Sequence, residues 1–260
     1  MTIFQSIILG IVEGITEFLP ISSTGHLILA QEILNITSSE FVKSFDIIIQ
    51  LGAILAVIVV YWKKLWNRNL IKKLIVAFIP TGVIGLALYK VVKNLLGSNA
   101  VVLWMLFLGG IALIVFELWY KKRIITKPPH INSIEDISYK EAAIIGLFQS
   151  IAIIPGTSRS AATIVGGLFR GFSRATIVEF SFLLAVPTMI AATGLDLVKS
   201  GHSFTGSQYA VLAIGFVVTF FVALASIKWL LAFIRKHDFI PFGIYRIVAA
   251  VLFWLIVLKA

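Results

Sequence analysis

Two short polar runs interrupt an otherwise apolar chain, and they hold the residues whose types and spacing could do chemistry. The first contains Glu13 and Glu17, four residues apart and so on one face of a helix. A carboxylate at membrane depth is costly and by default marks a functional site. Two on one face repel unless a cation, a proton or an arginine lies between them. The pair therefore suits divalent-metal binding through oxygen ligands, general acid–base work or an ion pathway. The competing reading is a pair of structural ion-pair partners. Next comes Pro20-Ile21-Ser22-Ser23-Thr24-Gly25-His26. Ser and Thr after a Pro break cap a helix start, where backbone N–H groups and the helix dipole form an anion site. Ser23 is either such a cap or, beside a base, a nucleophile. His26, three residues on, can face the same pocket or be an ordinary hydrogen-bonded histidine.

The second run is Pro155-Gly156-Thr157-Ser158-Arg159-Ser160-Ala161-Ala162-Thr163. Gly156 permits a tight turn and Ser158 can cap the helix that follows. A guanidinium at Arg159, inside a membrane, needs an anionic partner, and its fork matches phosphate oxygens. Permanent pairing of Arg159 with Glu13 or Glu17 is the structural alternative, compatible with the first if the bridge opens for substrate. Thr163 lies one turn along the same face. Two helix starts, an arginine, hydroxyls, a histidine and two carboxylates make a phosphoryl-transfer constellation, and the apolar surroundings imply a phosphate carried on a lipid.

The elements that must position these groups are membrane helices. Of 260 residues, 59% are hydrophobic and only 13% charged, against about 25% charged in a soluble domain. Six stretches are long and apolar enough to span: roughly 42–63, 72–92, 100–120, 175–198, 209–234 and 241–259. The segments Ile3 to Ile33 and Ala142 to Phe169 are instead broken by the two polar runs. Each reads as a re-entrant hairpin of two half-length helices, tolerated only where buried in protein or lining a wet cavity. The expected fold is thus all-α, a polytopic helical bundle of one membrane domain over residues 1–260. Lys63, Lys64, Arg68, Lys72, Lys73, Lys121, Lys122, Arg123, Lys127, Lys140, Arg170, Arg174, Arg235 and Lys236 would mark cytoplasmic ends. Lys43, Lys90, Lys93, Lys199 and Lys259 remain for the other side. The first hairpin then enters from outside the cytoplasm and the second from within. The net charge of +10 sits in these short loops, so nucleic acid is not expected as a partner. The absence of cysteine excludes disulfides and thiolate chemistry, and no secretory signal is expected, because Glu13 and Glu17 break the first apolar run.

The only extended polar linker, Thr126 to Ser138, divides the chain nearly in half. Gly10, Glu13, Pro20 and Ser22 recur as Gly146, Gln149, Pro155 and Ser158, and the run from Phe45-Asp46 resembles that from Phe180-Ser181. We read an inverted repeat, about 1–120 and 141–260, with a cytoplasmic linker at about 121–140. Broken helices meeting at mid-membrane are most familiar in transporters, so a lipid-phosphate flippase or ion-coupled carrier using the same site is the alternative function.

Both motifs resemble those of the undecaprenyl-diphosphate phosphatase family, the type associated with bacitracin resistance. The acidic pair Glu13-Gly14-Ile15-Thr16-Glu17 with the run Ser22 to His26 matches one family motif, and Pro155 to Thr163 matches the other at every fixed position. The resemblance covers the whole chain. It implies hydrolysis of undecaprenyl diphosphate to undecaprenyl phosphate, the lipid carrier of peptidoglycan synthesis, in the bacterial plasma membrane. It also implies a divalent cation, Mg²⁺ or Ca²⁺, and a site opening away from the cytoplasm. Glu13 and Glu17 would hold the metal. Glu17, Glu13, Ser23, His26 and Arg159 would be catalytic, and Ser22, Thr24, Ser158, Arg159, Ser160 and Thr163 would bind substrate. Attack by Ser23, with His26 or a glutamate taking its proton, and direct attack by water activated by Glu17 or His26 fit the sequence equally. Trp62, Trp66, Trp104 and Trp119 suit aromatic belts against membrane lipids as well as the contact surface of a homo-oligomer. His130, His202 and His237 read as solvated loop residues.

Overall fold

A computed structural model describes residues 1–89, 91, 95, 98–200 and 204–257, with backbone alone for 195–200 and 256–257. Lys90, Lys93, Lys259 and His202 lie outside the described residues, as does the side chain of Lys199. Among those described, the chain is helical and contains no strand, only an isolated bridge between Ile131 and Phe172.

Each broken segment forms two short helices. The first gives α1 (Ile3–Thr16) and α2 (Ser23–Ile33). Thr2 and Gln5 close a capping box at the start of α1. At 1.5 Å per residue these helices are about 21 and 17 Å long, short of the ~30 Å hydrocarbon core. Next come α3 (Glu40–Val60), α4 (Trp62–Leu65), α5 (Arg68–Ala87) and α6 (Asn99–Thr126). Ser39, Asn67 and Ser98 each cap their helix by accepting from a backbone N–H of its first turn. In the second half are α7 (Tyr139–Gln149), a 3₁₀ turn (Ser150–Ile153), α8 (Arg159–Phe169), α9 (Arg174–Ser200), α10 (Gly206–Phe233) and α11 (Ile240–Val257). Five of these, α3, α5, α6, α9 and α10, are long and apolar enough to cross a membrane. The sixth expected span, 241–259, is α11, whose final residues fall outside those described.

Boundaries moved where local signals won. The first span stops at Val60, where Tyr61 leaves helical geometry (φ −109°, ψ 20°). The third runs to Thr126, six residues further than its apolar stretch: Lys121, Lys122 and Arg123 are good helix formers and carry the helix on past the apolar run. The remaining linker is not simply solvated. It buries Ile131, Ile134 and Ile137, and the backbone N–H groups of His130 and Ile131 donate to Gly171 O at 3.0 and 3.1 Å. Lys73, expected in a basic loop, is buried and donates to Glu135 O at 2.8 Å.

Packing crosses between the halves. α1 lies along α10 and α7 lies along α5, while α3 contacts both α9 and α10. Both hairpin contacts use one device: Thr219 Oγ1 donates to Gly10 O (3.1 Å), and Thr81 Oγ1 donates to Gly146 O (3.0 Å). Glycine is required at both places, since a Cβ on Gly10 would meet Gly215 O and one on Gly146 would meet Ala77 O. Outward faces are apolar, as with Ile75, Ile79, Val83 and Leu86 of α5. An all-α polytopic membrane bundle results, with the turns of its two hairpins buried inside.

Candidate active site

The site forms where the two hairpins meet. Each short helix, α2 and α8, starts at a serine with positive φ: Ser22 (φ 74°) and Ser158 (φ 77°). Each serine hydroxyl accepts from the backbone N–H three residues on, at Gly25 and Ala161. Such backbone is sterically strained for a residue with a Cβ and persists only where surroundings over-determine it. The next residue, the first of each helix, is Ser23 on one side and Arg159 on the other.

Glu17 joins them. Ser23 Oγ donates to Glu17 Oε2 at 2.5 Å, and Arg159 Nη2 donates to Glu17 Oε1 at 2.9 Å. All three are nearly enclosed, with 13% of the Arg159 side chain and 5% of that of Glu17 exposed. Arg159 Nη1 donates to Ser181 O (2.7 Å) and more weakly to Ser181 Oγ (3.3 Å), which shares a 2.7 Å hydrogen bond with Thr163 Oγ1. Arg159 Nε is buried and has no acceptor among the described residues. A guanidinium anchored on one edge with a spare donor is suited to meet a phosphoryl oxygen.

Glu13 is wholly buried and, among the described residues, neither of its oxygens receives a hydrogen bond. Its carboxyl lies close to that of Glu17. Two carboxyls so placed share either a proton or a cation. Among the described residues no group of three or more His, Asp or Glu could hold a metal. A divalent ion therefore fits only if Glu13 and Glu17 supply two oxygens and substrate supplies others, and the orphaned Glu13 carboxylate is what makes that fit.

The other expected residues fall in different roles. Thr24 lines the cavity with Ser22, Ser23, Ser158 and Arg159. Ser160 Oγ donates to Phe18 O at 2.8 Å and so ties one hairpin to the other. His26 turns elsewhere: its Nδ1 lies 2.8 Å from Ser22 O and its Nε2 2.8 Å from the Tyr245 hydroxyl. A carbonyl only accepts, so in the neutral ring Nδ1 carries the proton and Nε2 accepts from Tyr245.

Sequence reading passed over several polar residues that the fold uses. Arg246 and Tyr245 of α11 touch the hairpins directly. Glu117, fully buried in α6, pairs with Arg174 through both carboxylate oxygens. Asp46 accepts from Gln31 Nε2 at 2.7 and 2.9 Å. One signal was available for Arg246 and Glu117: an ionisable residue inside an apolar helix is conspicuous.

A cavity of about 810 Å³ opens from this polar end. Beyond Arg159 its walls turn apolar, with Phe78, Ile79, Val83 and Leu86 of α5 facing Ile153 and Met189. Ile79, Val83 and Leu86 also reach the outer surface of the bundle.

Fold and site together define an integral membrane protein, a helical bundle with a buried cluster of carboxyl, hydroxyl and guanidinium groups where its two broken hairpins meet. The family described as bacitracin resistance protein BacA matches residues 6–252, and the chain belongs to that family. A protein of Sulfurihydrogenibium sp. (strain YO3AOP1), named undecaprenyl-diphosphatase, is 54% identical over 98% of this chain and 99% of its own length. Proteins of the same name from Aquifex aeolicus (strain VF5) and Campylobacter jejuni subsp. jejuni serotype O:23/36 (strain 81-176) are 49% and 53% identical. They are covered over 98% and 92% of their lengths, by 97% and 96% of this chain.

Proposed function

We propose that this chain is an undecaprenyl-diphosphatase: it hydrolyses undecaprenyl diphosphate to undecaprenyl phosphate and inorganic phosphate. Its role is to recycle the lipid carrier of peptidoglycan synthesis and so confer resistance to bacitracin. Relatives of about 50% identity over nearly their full length carry that name. The observation that carries the reading is one junction: a serine hydroxyl on a carboxylate, beside an arginine, at the polar end of an apolar cavity. A phosphate fits one end and a prenyl chain the other.

Arg159, with its free Nε, and the helix starts at Ser22 and Ser158 hold the diphosphate. Ser23 Oγ attacks the terminal phosphorus while its proton passes to Glu17 Oε2, the acceptor it already touches. Undecaprenyl phosphate leaves with the bridging oxygen. Water, deprotonated by a site carboxylate, then cleaves the phosphoserine to inorganic phosphate and frees Ser23. In the version without a covalent intermediate, Glu17 deprotonates a water instead. His26 is engaged with Tyr245, which favours Glu17 as the base in both versions. Mg²⁺ or Ca²⁺ held by Glu13 and Glu17 would supply charge neutralisation on the phosphate oxygens. Thr24 and Thr163 complete the polar surroundings.

The arrangement is read as two inverted repeats in a single membrane domain of the bacterial plasma membrane, with the site opening away from the cytoplasm. The cross-packed hairpins α1 on α10 and α7 on α5 support the repeat, and they also keep a lipid-phosphate carrier in view. Phosphate release by purified protein in detergent, from farnesyl or undecaprenyl diphosphate, separates the two. Release that EDTA abolishes, and that Glu17→Ala abolishes, is the expected result. A folded protein that releases none under any divalent metal would be a carrier or a lipid-phosphate binder.

A further inference from the structure

Arg246 is fully buried and is the sole charged residue of α11, yet among the described residues no carboxylate is its partner. A guanidinium has five N–H donors, and each finds a backbone carbonyl. Nε donates to Leu106 O (3.2 Å), and Nη2 to Met105 O (2.9 Å) and Gly156 O (3.0 Å). Nη1 donates to Pro20 O (3.3 Å) and Thr157 O (2.9 Å). These acceptors come from the first third of α6 and from both hairpin turns.

Each turn runs directly into a strained serine, Ser22 or Ser158. Strain of that kind needs external restraint. One guanidinium holds the carbonyl two residues before Ser22 and the carbonyls one and two residues before Ser158. On the preceding residue, the Tyr245 ring stacks on His26, 5.4 Å between centroids. With all donors committed, Arg246 has none left for substrate, so its task differs from that of Arg159.

We propose that Arg246 is a positioning residue that locks the two helix starts together, so that Ser23 and Arg159 converge on one phosphoryl group. The catalytic consequence rests on the phosphatase reading; the geometric one does not. A displacement of about 1 Å at a reacting centre costs on the order of 10²-fold in rate. Lysine substitutes only in part, because its compact ammonium has three donors and no planar fork to span both turns.

The test uses purified Arg246→Met, Arg246→Lys and Gly109→Ala. A Cβ at Gly109 would collide with Arg246 Nη2 and push the guanidinium off its carbonyls while keeping its charge. The chain has no cysteine, so spin labels at Ile33→Cys and Phe169→Cys, at the far ends of α2 and α8, report how the hairpins sit. In folded variants kcat for phosphate release falls about 100-fold while KM stays within about threefold of wild type. The label distances broaden, and Arg246→Lys retains more activity than Arg246→Met. Wild-type kcat in folded Arg246→Met overturns the proposal. So does a loss of kcat without broadening, which would place Arg246 in the chemistry itself. Unfolding of all three variants also overturns it, leaving a residue of the fold alone. Broadened distances in a protein whose wild type releases no phosphate would refute the phosphatase reading and leave the positioning role standing.

Discussion

Replacing Arg159 by methionine removes the cation that faces Glu17 while keeping most of the side-chain volume. Two effects follow, with different sizes and different readouts. The pair is nearly enclosed, with 13% and 5% of its side chains exposed. Removing one partner of a buried ion pair costs about 3–5 kcal/mol, because the other charge is left uncompensated. Among the described residues Glu17 would keep the hydroxyl of Ser23 as its remaining donor. Glu17→Gln alone leaves Arg159 similarly stranded, with Ser181 O and Oγ as its acceptors. In the double variant neither charge remains, so its loss of stability should be smaller than the sum of the two, by up to about 3 kcal/mol. On activity, removing one preorganised donor costs about 10²–10³-fold, or ~2.7–4 kcal/mol. The double variant should recover stability and recover no activity. Denaturation in detergent and phosphate release from a prenyl diphosphate measure the two separately. Strictly additive stability losses would refute the buried pair, and near-normal turnover in Arg159→Met would refute its place in the site.

Three further outcomes are expected. Ser23→Ala should lower kcat by at least about 10²-fold, and acid quenching of wild-type turnover should trap phosphoserine at Ser23; turnover near normal excludes the covalent route. Gly146→Ala drives a Cβ into Ala77 O where α7 crosses α5, and should cost about 1–3 kcal/mol by overpacking, read as a lowered melting temperature. Glu117→Gln breaks the buried pair with Arg174, neither of which lines the cavity. It should destabilise by about 3 kcal/mol while leaving KM for the prenyl diphosphate unchanged in the folded fraction.

The membrane class and the polar residues that meet at the hairpin junction could be read from the chain alone, for one reason. Ionised and hydroxylated side chains are expensive at membrane depth, so Glu13, Glu17, Ser23 and Arg159 stand out against an apolar background. The half-length helices were equally legible, since Pro20 and Pro155-Gly156 break segments that could otherwise span. The same cost makes Arg246 and Glu117 conspicuous, but nothing in their neighbourhood indicates their partners. Arg246 is met by carbonyls 89 to 226 residues away in sequence, and Glu117 by an arginine 57 residues on.

Partner choice was the tertiary structure's decision. Both His26 and Arg159 have a carboxylate, a hydroxyl and a carbonyl within plausible reach on paper. Packing of α11 turned His26 to Tyr245, and packing of α8 on α9 set Arg159 between Glu17 and Ser181. The crossing of the hairpins, α1 on α10 and α7 on α5, depends on glycines whose bare Cα atoms admit a neighbouring backbone, and which glycines face which helix is a long-range outcome. Composition and spacing thus determined what chemistry the chain carries and that it lies inside a membrane. Close packing of distant segments, with each buried donor seeking an acceptor, decided which of those groups meet.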